Sequence, residues 1–137
     1  MNLDDVAEEI RAALGTISGL RTPPFGADAV TPPAALVALP VRIDYDDTAQ
    51  RGSDRYPDVE VFVLVGKTLD RAARKLLAGY ADGAGSGSVK AAVESYAYTS
   101  CDKATVRVYQ AEFEEIRFGG VQYAAAVFHI DLTGDGA

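Results

Sequence analysis

The side chains able to do chemistry in this chain are few and scattered. His129 is the one histidine of 137 residues, Cys101 the one cysteine, and there is no tryptophan. A lone histidine cannot build a histidine metal cluster, and a catalytic triad needs a nucleophile and an orienting acid that no motif here supplies. His129 therefore reads as a structural or exposed side chain. One cysteine excludes an internal disulfide and a cysteine zinc site, and no basic pair beside Cys101 marks a reactive thiolate. Glu112, Glu114 and Glu115 have the look of paired carboxylates. They fit an exposed strand face, or a surface meeting Arg or Lys of a neighbouring subunit. Asp44, Asp46 and Asp47, and Asp131 with Asp135, offer oxygen ligands to a cation but lack the Glu-terminated spacing of a calcium loop. Gly66-Lys67-Thr68 has the ending of a phosphate-binding loop. The glycine required five residues before Gly66 is Val61, so the cradle is missing. Gly83 to Ser88 follows a helical stretch rather than a strand, so it suits a hinge and not a dinucleotide loop.

Composition narrows the classes further. The length fits one domain, 1–137, and a chain of this size buries about two-thirds of its unfolded surface without metal or disulfide. The apolar fraction is 48%, with seven tyrosines and five phenylalanines, which excludes a disordered chain. Net charge is −7, which argues against a nucleic-acid backbone as the main ligand. No apolar run approaches the length of a membrane helix, and Met1 to Asp5 is acidic rather than a secretory leader, so synthesis and folding in a cytoplasm are expected.

The elements that must position these residues centre on Val59 to Tyr96. Val59, Val61, Phe62, Val63, Leu64 and Val65 form a nearly unbroken apolar run, which predicts a central strand covered on both faces. Leu69, Ala72, Ala73, Leu76, Leu77 and Tyr80 then form one helical stripe, with Thr68 as the expected N-cap and Arg71, Arg74 and Lys75 on the wet side. Ahead of this, Leu3, Val6, Ala7, Ile10, Ala13 and Leu14 predict a helix capped by Asn2 and stopped at Gly15. Leu20 to Pro33 carries four prolines and predicts an irregular connector. Ala34 to Leu39 and Val41 to Tyr45 predict extended chain broken at Pro40. Asp46 to Asp58 reads as a long polar loop, either a solvated hairpin tip or a segment that orders against a partner.

After the glycine-rich break, Ser86 or Ser88 caps a second helix that buries Val89, Ala92, Val93 and Tyr96. Tyr98 to Lys103 is a turn. Two strands then flank Gly119-Gly120, a two-residue turn that fixes the register. Phe118 should oppose Val121, Ile116 Tyr123, Phe113 Ala126, Ala111 Phe128 and Tyr109 Ile130, as one apolar face. Glu112, Glu114 and Gln110 should meet Val127, Ala125 and His129 on a half-polar face. Apolar parity switches near Tyr109 and Gln110, which allows a bulge there.

Several stretches in order resemble the tail terminator proteins of long-tailed siphophages, above all those of actinobacterial phages. They are Thr31-Pro32-Pro33-Ala34-Ala35-Leu36-Val37, Ile43-Asp44-Tyr45-Asp46 and Arg51-Gly52-Ser53-Asp54-Arg55. The Val61-to-Ala73 strand and helix with Asp70-Arg71-Ala72-Ala73, Gly85-Ser86-Gly87-Ser88-Val89-Lys90, and Phe118-Gly119-Gly120-Val121-Gln122-Tyr123 match as well. The resemblance implies a single α+β domain with about three helices on a mostly antiparallel mixed sheet, assembled as a homohexameric ring. Such a ring ends tail-tube growth and offers the surface that joins the head, and the genome later passes through its lumen. The implied partners are further copies, the tail tube protein and a head-completion or connector protein. No catalysis, cofactor, metal, membrane or sequence-specific nucleic acid is implied, and the implied location is the head-proximal end of the virion tail, after assembly in the host cytoplasm.

In that setting Asp46, Asp47, Arg51, Asp54 and Arg55 are the expected contacts to a neighbouring subunit or the tube end. Glu112 and Glu114 are the expected acidic residues facing the lumen or a subunit. Another neck, head-completion or minor tail protein is the nearest alternative, and a small enzyme or ligand-binding domain the alternative from another class.

Overall fold

The computed structural model describes residues 1–24, 30–46 and 52–136. Helix α1, Leu3–Leu14, begins where Asn2 Oδ1 accepts the amide protons of Asp4 and Asp5 at 2.9 and 3.1 Å. Those amides have no partner inside the helix, and Asp4 and Asp5 sit where the helix dipole favours negative charge. Strand β1, Ala34–Pro40, follows the proline-rich connector, and β2, Ser53–Gly66, is the long central strand. Helices α2, Arg71–Ala81, and α3, Val89–Ser95, come next, then β3, Arg107–Phe118, and β4, Val121–Asp135.

The sheet order is β1-β2-β4-β3 and all three ladders are antiparallel. The fold is α+β, as expected from the sequence. The parallel component is limited to an isolated bridge between Arg21 and Ala34. Gly119 and Gly120 have φ of 58° and 79°, the two left-handed residues that a hairpin turn of this type requires. From that turn the expected pairs Phe118–Val121, Ile116–Tyr123, Phe113–Ala126 and Ala111–Phe128 all form. The bulge falls at Tyr109, so Val108 rather than Tyr109 pairs with Ile130.

All three helices lie on one side of the sheet. Val6, Ile10 and Leu14 of α1, Leu77 and Tyr80 of α2, and Val89 and Val93 of α3 share one core with Val61, Val63, Phe128 and Ile130. Ala124 and Ala126 of β4 are buried beneath this layer, small side chains that let helix backbone approach the strand.

Four expectations are corrected. The hairpin residues do not share one face: Ala111 and Phe113 lie on the helix side, whereas Ile116 and Phe118 lie opposite, because their positions differ in parity. The polar stretch is shorter than Asp46–Asp58, because β2 begins at Ser53 and pairs with the end of β4 from there. The N-cap of α2 is Asp70, whose Oδ1 accepts the Ala73 amide proton at 2.8 Å, and not Thr68. Starting there, the helix points Ala73, Leu77 and Tyr80 inward, and leaves Leu69 and Leu76 58% and 38% exposed. Finally, β2 is covered by helices on one face only; the other carries Glu60, Phe62 and Leu64.

Candidate functional site

Among the described residues, no helix or strand covers the second face of the sheet. Alternation along the strands decides what that face displays. At its turn end it is apolar: Leu64, Tyr123 and Ala125 are buried there beneath Phe62, Ile116, Phe118 and Val121. Toward the middle it becomes charged, with Glu60 from β2, Glu112 and Glu114 from β3, and His129 and Asp131 from β4.

His129 is held on this face by two carboxylates. Its Nδ1 lies 2.7 Å from Asp58 Oδ1 and its Nε2 lies 2.6 Å from Glu112 Oε1. Asp58 reaches it because the β2–β4 register shifts between Tyr56 and Val59. Glu112 reaches it from β3, where it pairs with the neighbouring Val127. Both carboxylates accept from the ring only when both nitrogens carry protons, so the arrangement describes an imidazolium. Burial acts to lower the ring's pKa, but the hydrogen bonds and charges of Asp58 and Glu112 outweigh it and raise it above the ordinary histidine value.

Tyr109 lies beside the ring, with centroids 6.0 Å apart, and Arg107 stands 5.9 Å over the tyrosine. Burial, and then the charge of Asp58, push the Tyr109 hydroxyl upward, so it stays protonated at neutral pH. The cluster holds strands together. With both ring nitrogens engaged, the imidazolium has no lone pair left for general-base work.

Arg55 lies on the same face and grips Asp131 with two hydrogen bonds of 3.0 and 2.7 Å. This is a cross-strand tie between β2 and β4 within one chain. Of the other expected interface residues, Asp46 and Asp54 meet at the loop end of the β1–β2 hairpin. Asp54 Oδ1 accepts the Asp46 amide proton at 3.4 Å, and Asp46 Oδ1 accepts that of Gly52 at 3.2 Å. Asp47 and Arg51 lie outside the described residues. Glu112 and Glu114 are exposed on β3, well along the face from this end. Glu112 is engaged by His129, and Glu114 forms no ion pair among the described residues.

The sequence reading missed Asp58 and Glu60 as parts of this face. Asp58 is 71 residues from His129 in sequence, so no local pattern connects them. Glu112 was within reach of the reading, because the hairpin register sets Gln110 opposite His129 and puts Glu112 two residues further along the same face. The Cys101 thiol is pushed up to about 11, by burial first and by the Glu9 carboxylate second, which agrees with an inert thiol. The described residues contain no group of three or more His, Cys, Asp or Glu side chains placed to hold a metal ion.

The helix layer presents a different surface. Lys67, Arg71, Arg74 and Lys75 are all exposed, and none forms an ion pair among the described residues. Leu69 and Leu76 are exposed among them, and Leu76 with Ala72, Ile17 and Tyr80 lines an open groove of about 450 Å³. No helix is long and apolar enough to cross a membrane among the described residues. The chain matches no protein-family model, and no curated protein matches it.

Proposed function

We propose that this chain is a structural virion protein of the siphophage tail terminator type, a ring subunit that caps the tail tube, ends its growth and offers the head-joining surface. The supporting observation is the uncovered sheet face. A sheet that packs helices on one side only and carries Phe62, Ile116 and Phe118 with a row of carboxylates on the other has a surface suited to a partner. The role requires no catalytic residue, cofactor or metal. The partners of this reading are further copies in a homohexamer, the tail tube protein and a head-completion protein. Net charge of −7 suits a ring through which DNA moves without sticking.

The test is the native mass across a concentration series, followed by addition of the protein to polymerising tail tubes. The expected result is a discrete hexamer and shortened tubes with density at one tip. A stable dimer that leaves tube growth unchanged would overturn the reading. Duplex DNA should not be retained at moderate salt.

A further inference from the structure

We infer that copies of this chain associate head to tail, with the outward side of α2 in one copy seated on the uncovered sheet face of the next. The inference deepens the ring reading by naming its contact, and it stands on the charge and shape of two surfaces of this chain.

The first surface is the outer side of α2 and the loop before it. Four of the thirteen basic residues, Lys67, Arg71, Arg74 and Lys75, fall within nine positions, in a chain whose net charge is −7. The single acid in that stretch, Asp70, is used as the helix cap. Leu69 and Leu76 add exposed apolar area. Cations gathered in this way give one side of an acidic chain a positive field, and the bare leucines beside them add apolar area to it.

The second surface lies on the opposite side of the sheet and has the opposite sign. Glu60, Glu112 and Glu114 stand on it next to Phe62 and Ile116. Its two arginines are occupied, Arg55 by Asp131 and Arg107 over the Tyr109 ring, and the His129 imidazolium by Asp58 and Glu112. Asp58 and Glu112 together carry one more negative charge than the His129 between them can offset, even when it is protonated.

Sign decides the mode of pairing. Two acidic sheet faces repel one another, and so do two basic helix faces. Only α2 against the sheet brings unlike charges together, and like-charge juxtaposition costs several kcal/mol. The edge strand β3 is also a poor partner for itself. A two-fold pairing centred on Phe113 would set Glu112 against the other copy's Glu114, a destabilising cross-strand pair. The size is adequate: four strands spaced by about 4.8 Å, over about 40 Å of strand, give a face of roughly 770 Å². A standard interface buries about 800 Å² per partner. A contact that uses a different patch on each copy repeats from copy to copy, and it closes as a ring when the rotation permits.

The test uses the full chain and two charge-reversed variants, followed by native mass and sedimentation at low salt. One variant carries Arg71→Glu, Arg74→Glu and Lys75→Glu; the other carries Glu60→Lys and Glu114→Lys. Each alone should weaken self-association about 100-fold or more. Mixing the two variants should restore assemblies, as should combining all five substitutions in one chain. If the unaltered chain assembles and either variant assembles equally well, the contact is overturned while the ring reading survives. If both variants lose assembly and neither the mixture nor the combined chain recovers it, the pairing of these two surfaces is overturned. An unaltered chain that stays monomeric at about 1 mM, the weak limit of specific association, overturns the contact too and leaves the ring reading to the tube-capping assay.

Discussion

On the helix side of the sheet Val61, Val63, Phe128 and Ile130 are at most 2% exposed, and each is packed by side chains from at least one helix layer element. On the other side the same strands carry Glu60, Phe62, His129 and Asp131, and among the described residues no helix packs over them, though Val30 of the connector reaches the apolar end. One face is built by volume throughout, and the other by volume at its turn end and by charge toward its middle. On the first, order comes from close packing, where any lost methylene is felt. On the second, it comes from polar ties, Asp58–His129–Glu112 and Arg55–Asp131, which fix strand register while leaving the surface open. A protein that must fold alone and still meet a partner can divide those tasks between the two faces of one sheet.

The sharpest way to break this comparison is to remove a large side chain from each face. Phe128→Ala should cost about 3–5 kcal/mol in urea unfolding, as for a buried aromatic. Phe62→Ala, half-buried, should cost about 1–2 kcal/mol. Phe113→Ala, on an edge strand and 60% exposed, should fall within about 0.5 kcal/mol of the unaltered chain. Equal losses at Phe128 and Phe62 would mean that both faces are core.

The cross-strand tie comes next. Arg55→Ala and Asp131→Asn should each cost about 1 kcal/mol, and the double variant little more than either, because both remove the same partly exposed pair. Strict additivity would show that the pair is geometric and carries no coupling.

His129 gives a smaller effect with a defined sign. Its folded pKa is raised, so the stability it contributes is fully present below the ordinary histidine pKa of about 6.5. That contribution is lost as pH rises through the folded value. Melting temperature should therefore fall from pH 6 toward alkaline pH in the unaltered chain. The His129→Gln variant should lack that part of the fall, and the two chains should converge at high pH. A gap between them that widens with rising pH would contradict the imidazolium bridge.

The least perturbing probe is Cys101, which packs against the helix-side core. With its thiol pushed up to about 11, its thiolate fraction near pH 8 should be about 100-fold below that of a free cysteine. Thiol reagents should react correspondingly slowly until the chain unfolds. Rapid labelling of the native protein would show that this part of the covered face opens readily.

Much of the fold was legible because it is local. The Gly119-Gly120 turn fixed the hairpin pairs out to Ala111–Phe128, since each pair follows from the last. Asn2 announced one helix start by its type, and type narrowed another to Ser86 or Ser88, of which Ser88 is the cap. Asp70 was harder, because Thr68 two residues earlier is an equally good cap by type, and only packing of Ala73, Leu77 and Tyr80 on the sheet decides between them. Facing was misjudged where parity was carried across the run from Phe118 to Ala111. The β3–β4 part of the second face was legible as half-polar from the hairpin register, but the β2 part was not. Val59 to Val65 is apolar enough for a strand covered on both sides, and nothing in it says that all three helices gather on one. The Arg55–Asp131 and Asp58–His129 ties depend on pairing β2 with β4, more than seventy residues away in sequence.

The unusual length of the two central strands has a mechanical consequence. Ladder hydrogen bonds in an antiparallel pair lie perpendicular to the strands. A pull along β2 and β4 in opposite directions therefore loads every rung from Ser53–Asp135 to Gly66–Ala124 in shear and shares the force among them. A pull across the strands peels the same rungs one at a time. The domain is stiff along one axis and weak along another, so the direction in which a neighbour tugs on it matters as much as how hard.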